Sequence, residues 1–140
     1  MKITICGSIK FTENMSQISG QLLKNGHETE LPLTSIKILS GELTLEEFER
    51  ESEGENRKIQ DDVIRKYYEK IKESEAILVA NYDKNGIRNY IGGNTFLEIG
   101  FAYVLNKKIF LFNEIPEIGY SDEIKAMQPV ILGGDLSKIY

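Results

Sequence analysis

At 140 residues, with 41% apolar and 28% charged side chains, the chain suits one domain with a substantial core and is too short for two comfortable ones. A formal net charge of -5 argues against the basic face needed to grip a nucleic-acid polymer, while leaving open a single nucleotide held by backbone amides and a local lysine. The single cysteine, Cys6, excludes an internal disulfide and argues against a cysteine-rich metal site; no run approaches a membrane span and Met1 leads into no signal-peptide pattern, so a soluble cytoplasmic protein without a membrane partner is expected.

Lys2 to Cys6 is short, β-branched and bounded by Gly7, which predicts a strand with Gly7-Ser8-Ile9 as the turn at its carboxyl end. Thr12 to Lys24 carries Met15, Ile18, Leu22 and Leu23 at helical spacing, and Asn25-Gly26 stops it. His27 to Leu31 is a second short strand, closed by Pro32, which completes an opening β-α-β unit. Residues 34–62 break the rhythm. They are strongly acidic from Gly41 to Glu55, with apolar residues confined to Leu43, Leu45 and Phe48, and read as a solvated insertion or as a lid over a pocket.

From Ile59 to Glu73 the pattern is helical, with Val63, Ile64, Tyr67, Tyr68 and Ile71 forming a stripe. Glu75 to Ala80 is an apolar run suited to a central parallel strand covered on both faces, and Asp83-Lys-Asn-Gly86 beyond it is a turn. A helix follows Gly92-Gly93 and ends near Asn106. Lys108 to Phe112 is the next strand, Ser121 to Met127 a short helix, and Val130 to Leu132 a last strand. The alternation predicts a single three-layer α/β domain over residues 1–140, flavodoxin-like (Rossmann-like), with about five parallel strands.

In such sheets ligands lie beyond the carboxyl ends of the strands, where strand order reverses. Gly7-Ser8-Ile9, Asn81 to Asp83 and the turn from Gly92 to Glu98 share that edge, so Ser8, Asn81 and Glu98 are expected to face one pocket. A glycine-rich turn entering a helix presents backbone N–H groups to an anion, which marks Gly92, Gly93 and Asn94 as binding candidates. Glu98 is the centre of interest, because a carboxylate among Phe96, Leu97, Ile99 and Phe101 is costly unless something uses it. It reads as lying in the first helical turn, where Thr95-Phe-Leu-Glu98 also fits a capping box; capping residue and catalytic carboxylate are both open on local sequence. Duller readings stand beside the others: a tight turn for Gly92-Gly93, a helix-start hydroxyl for Ser8, a strand-end residue for Asn81, a small core residue for Cys6 and a surface residue for His27.

Cys6-Gly-Ser-Ile9, Ala76-Ile-Leu-Val-Ala80 and Leu97-Glu-Ile-Gly-Phe-Ala-Tyr103, followed by Asn106-Lys-Lys-Ile109, together resemble the nucleoside 2-deoxyribosyltransferase superfamily. The opening motif is most similar to the 2′-deoxynucleoside 5′-phosphate N-hydrolase branch. The resemblance covers most of the chain outside 34–62 and implies a homodimer or larger assembly, no cofactor and no metal. It also implies cleavage of the N-glycosidic bond of a nucleoside or nucleotide, with Glu98 as the nucleophile that forms a covalent glycosyl-enzyme. Helix-end N–H groups are expected to keep that carboxylate ionised. Interception by water makes a hydrolase, and by a second base a transferase.

The chain departs from the family at several positions. Gly92 stands where transferases usually carry an aspartate six positions before the glutamate, and Tyr67 where they carry another. Both departures weaken a transferase acting on free deoxynucleosides and keep a non-catalytic nucleotide sensor in view. In the phosphate-using branch serines contact the 5′-phosphate. Ser8 matches one, Gly92 replaces another, and the serine near the end of the chain aligns with Lys125 in Ile124-Lys-Ala-Met127. That alignment marks Lys125 and Met127 as substrate-binding candidates, with Lys125 holding phosphate as a point charge across a dimer interface. The favoured substrate is therefore a nucleoside 5′-monophosphate.

Overall fold

The computed structural model describes residues 1–51 and 62–140. In chain order the elements are β1 (Lys2–Cys6), a 3-10 turn (Ile9–Phe11), α1 (Thr12–Lys24), β2 (Glu28–Glu30), α2 (Leu33–Leu39) and α3 (Leu45–Glu51). Then come α4 (Val63–Lys72), β3 (Ala76–Val79), α5 (Gly93–Val104), β4 (Lys108–Leu111), α6 (Ser121–Ala126), β5 (Val130–Ile131) and a 3-10 turn (Leu136–Lys138). Among the described residues no helix is long and apolar enough to cross a membrane.

The five strands form one parallel sheet in the order β2-β1-β3-β4-β5, the flavodoxin-like order. Period-two alternation along β1 sorts its side chains between two helix layers. Ile3 and Ile5 pack with Met15, Ile18 and Leu22 of α1. Cys6 packs on the opposite face with Tyr67 and Ile71 of α4 and Ile99 and Ala102 of α5. Ala76, Ile77, Leu78 and Val79 of β3 are wholly buried, as a strand covered on both faces must be.

Helix ends follow local chemistry. Gly26 (φ +89°) ends α1, with its N–H bonding the Leu23 carbonyl and the His27 N–H bonding that of Leu22. Asn106 (φ +57°) ends α5 in the same way, with bonds to Tyr103 and, through Lys107, to Ala102. Both are Schellman closures with a left-handed residue just past the helix.

The insertion is structured as far as it is described. Pro32 precedes α2, and Ser35 of α2 is buried against Thr12, their hydroxyls 2.9 Å apart. Thr44 caps α3. Its Oγ1 accepts from the Glu47 N–H at 3.0 Å and donates to Glu47 Oε1 at 3.0 Å. The helix expected from Ile59 begins at Val63 among the described residues, and its first expected positions lie outside them.

The β1/β3 pair is where strand order reverses, and Cys6 there stands in register with Val79. Gly7 passes so close to β3 that an added Cβ would sit 2.9 Å from the Ala80 carbonyl oxygen. The crevice above this pair opens between the turn after β1 and the start of α5.

Candidate active site

The start of α5 decides what Glu98 is. Gly92 is the N-cap, in extended backbone (φ -81°, ψ 174°), and its carbonyl accepts the Phe96 N–H at 2.9 Å. The helix therefore begins at Gly93, which moves Thr95 to its third position and Glu98 into its second turn. No side chain caps this helix. The capping-box reading of Thr95 and Glu98 is thus corrected, as is the placing of Glu98 in the first turn. The S/T-x-x-E pattern is used for capping at Thr44–Glu47 instead.

Helical spacing then puts Glu98 on a border. Thr95, Ile99 and Ala102 form the buried stripe of α5, while Asn94, Leu97, Glu98 and Phe101 line a cavity of about 750 Å³. Such a volume lies within the range of small-molecule sites, about 300–1,000 Å³. Glu98 keeps some exposed surface toward the cavity, yet protein encloses most of its carboxyl group. Burial pushes its pKa up to about 8, and the neighbouring Cys6 thiol only partly offsets this. The expected ionisation by helix-end N–H groups is corrected: a second-turn carboxylate lies beyond the reach of the free amides, so desolvation wins.

The same cavity is lined by a group that sequence reasoning passed over. Asn85 (φ +54°) and Gly86 (φ +75°) form a two-residue Asn-Gly turn. Lys84 and Ile87 close it with paired backbone bonds of 3.0 and 2.9 Å, as a primed hairpin turn does. This hairpin carries Lys84 back over the site, where its Nζ donates to Ser8 Oγ at 2.8 Å and lies 5.1 Å from the Tyr90 ring centroid. Burial and the nearby Lys10 charge lower the Lys84 pKa, and the Glu49 carboxylate opposes them. The only local signal for Lys84 was its place in a turn at the carboxyl end of β3.

Gly7, Ser8, Ile9, Gly92, Gly93, Asn94 and Glu98 all line the cavity, together with Lys84 and Tyr90. The insertion supplies Leu33, Thr34 and Phe48, and α4 supplies Ile64, Tyr67 and Lys70. Tyr67 is buried and donates its hydroxyl to the Ile5 carbonyl, and burial together with Cys6, Glu98 and Glu30 holds its pKa up. Lys70 is engaged elsewhere, 3.4 Å from Glu30 Oε2. The lining thus combines apolar side chains (Leu33, Phe48, Ile64) with hydroxyl groups and lysines.

Three expected residues are not brought there. Asn81 is fully buried, and its amide donates to the carbonyls of Asn113 (3.1 Å) and Glu114 (2.9 Å) while Oδ1 accepts from Asn113 N (2.9 Å). Asn113 returns a bond from its own amide to the Asn81 carbonyl at 2.9 Å. Every polar atom of that side chain is used to tie the ends of β3 and β4, so none is left for a ligand. Lys125 is exposed on α6, and Met127 packs against the core layer of α4 and α5; neither lines the cavity of this chain. His27, with Nδ1 3.1 Å from the amino terminus, is also away from it.

No protein-family model and no curated protein matches the chain. Among solved structures it is similar to the CMP N-glycosidase BcmB of Clostridium botulinum, with 14% sequence identity and a TM-score of 0.48, over 94% of this chain and 88% of that one.

Proposed function

We propose that the protein cleaves the N-glycosidic bond of a nucleoside 5′-monophosphate, with Glu98 as nucleophile and water as the final acceptor. The observation that carries this reading is a buried carboxylate, spared from capping, that borders a cavity also lined by Lys84, which is held on Ser8. The substrate phosphate lies against the Lys84 ammonium, the Ser8 hydroxyl and the amides of Gly92, Gly93 and Asn94. The base lies against the apolar Leu33, Phe48 and Ile64, and C1′ of the sugar faces Glu98.

Glu98 first loses its proton. Its carboxylate then attacks C1′ as the bond from C1′ to the base nitrogen breaks, the bonding pair leaves with the base, and the base takes up a proton. Water next attacks C1′ of the glycosyl ester, releasing sugar 5-phosphate and restoring Glu98. The test is incubation with each deoxynucleoside and ribonucleoside monophosphate, with chromatography of free base. Release in wild type and none in Glu98→Ala is the expected result.

The raised pKa of Glu98 favours one other reading, a nucleotide-binding sensor without turnover. Tight binding with no base release from any nucleotide identifies that case. Assembly as a homodimer is proposed as well: Leu97 and Val104 stand exposed on the outer face of α5, where a second copy would border the cavity that Leu97 lines. Val104→Asp is then expected to halve the sedimenting mass.

A further inference from the structure

Buried polar side chains in this protein are matched to one another. Thr4 meets Ser74 at 2.6 Å, Thr12 meets Ser35 at 2.9 Å, Ser19 meets Thr29 at 2.6 Å, and Asn81 is spent on Asn113 and Glu114. Thr95 is the exception among the described residues. Only 4% of it is exposed, yet no protein group bonds its hydroxyl. Taking a hydroxyl out of water without a partner is costly, and nearly all buried polar groups are bonded. The open space that Thr95 borders is the cavity, which it lines together with Glu98.

Its place on α5 says what it meets there. Thr95 and Glu98 are three residues apart, so they are neighbours on the helix surface, and the tilt of helical side chains toward the N-terminus leans Glu98 over the turn that holds Thr95. In a nucleotide the base stands on one face of the sugar ring and the 2′ and 3′ hydroxyls on the other. A carboxylate that displaces the base in line approaches C1′ from the hydroxyl face. A polar group beside that carboxylate therefore meets a sugar hydroxyl.

We propose that Thr95 Oγ1 bonds a sugar hydroxyl, 2′ or 3′, on the ring face that Glu98 attacks, and so selects the sugar. This rests on reading Glu98 as the nucleophile. The match is one of uncharged groups, each able to donate or accept, while the phosphate has the Lys84 ammonium and Ser8. A bond to a hydroxyl close to C1′ strengthens as the ring gains positive charge in the transition state. A sugar lacking that hydroxyl leaves Thr95 unpaired in a closed site, which is how such a site rejects it.

The test compares Thr95→Val, which keeps the outline of the side chain and removes its hydroxyl, with wild type in the full chain. The substrates are a ribonucleoside 5′-monophosphate, its 2′-deoxy and 3′-deoxy forms, and the unphosphorylated ribonucleoside. Base release gives kcat/KM for each, and calorimetry gives Kd. Valine is expected to lower kcat/KM on the ribonucleotide by about 10-fold and to change nothing on the deoxy form that lacks the contacted hydroxyl, which identifies that hydroxyl. The loss is expected to persist on the unphosphorylated ribonucleoside. Thr95→Ser, which keeps a hydroxyl, is expected to rank the sugars as wild type does. In thermal melts without ligand, Thr95→Val is expected to match or exceed wild type, because it removes an unpaired buried hydroxyl. Equal losses on all substrates together with a lowered Tm mark a structural hydroxyl and overturn the proposal. So does no loss on any substrate, or a loss confined to the phosphorylated ones. Thr95→Ala takes the place of valine should that variant not fold. The same pattern in Kd with no base release from any nucleotide upholds Thr95 as the sugar contact while removing the glycosidase reading. Base release with the wild-type ranking of sugars kept in Thr95→Val removes Thr95 alone.

Discussion

Lys84 Nζ donates to Ser8 Oγ at 2.8 Å across 76 positions of sequence. The contact joins the turn after β1 to the hairpin after β3, the two strands between which the sheet order reverses. It places a partly desolvated ammonium in the lining of the cavity that Glu98 borders.

Removing that ammonium tests the phosphate seat. Lys84→Met is expected to raise KM for a nucleoside 5′-monophosphate by about 10- to 100-fold, the range for a charge-assisted bond of ~1.5–3 kcal/mol. The unphosphorylated nucleoside is expected to lose little. Steady-state kinetics on both substrates gives the comparison, and equal losses on the two would remove Lys84 from phosphate binding.

In the proposed reaction the attacking form of Glu98 is the anion, and burial raises its pKa to about 8. Because kcat/KM reports ionisation in the free enzyme, it is expected to rise with pH and level off above about 8. A profile already flat at pH 6 would contradict a buried, protonated resting carboxyl.

The same shift has a stability consequence of definite sign. The folded-state pKa lies above the ordinary 4.5, so the native state holds the proton more tightly than the unfolded chain. That contribution is complete below pH 4.5 and is lost as pH rises through about 8. Glu98→Gln removes the titration, so its Tm relative to wild type is expected to climb between pH 5 and pH 9 in thermal melts, a gain in stability bought with activity.

Asn81 is expected to behave as a strut. Asn81→Ala leaves the Asn113 N–H and two carbonyls short of partners, and should cost about 2–4 kcal/mol in urea unfolding. The fraction that stays folded should bind nucleotide with wild-type affinity, as measured by calorimetry. A stable variant with weakened binding would return Asn81 to the site.

Gly7 is constrained by space. Gly7→Ala drives a methyl group to 2.9 Å from the Ala80 carbonyl oxygen, which forces β1 and β3 apart where Cys6 and Ser8 are set. A loss of about 1–3 kcal/mol with a lowered kcat is expected. Gly93, where an added Cβ meets nothing within 4 Å, is the matched control and should tolerate alanine in stability.

Much of the fold was legible in the chain because its signals are local. The β-branched run Lys2–Cys6, the apolar run around Ala76–Val79 and the terminators Gly26 and Asn106 each act over a few residues, so period and turn chemistry located five strands and most helices without knowledge of their neighbours. Glu98 also stood out, since an acidic side chain in an apolar helix is conspicuous wherever that helix packs. Its purpose was not legible. Thr95-x-x-Glu98 and Thr44-x-x-Glu47 carry the same local pattern, and only the start of α5 at Gly93, with Gly92 as its cap, decides that the first is not a cap while the second is. Asn81 and Lys84, three positions apart, exchange their expected importance for a similar reason. Asn81 turns inward to brace β3 on β4, and the hairpin at Asn85-Gly86 swings Lys84 back onto Ser8. The sequence by itself determined the elements, their order and the odd carboxylate. The tertiary structure decided which polar groups share a cavity, because that depends on β1 lying beside β3, a pairing between residues more than 70 positions apart that no local period encodes.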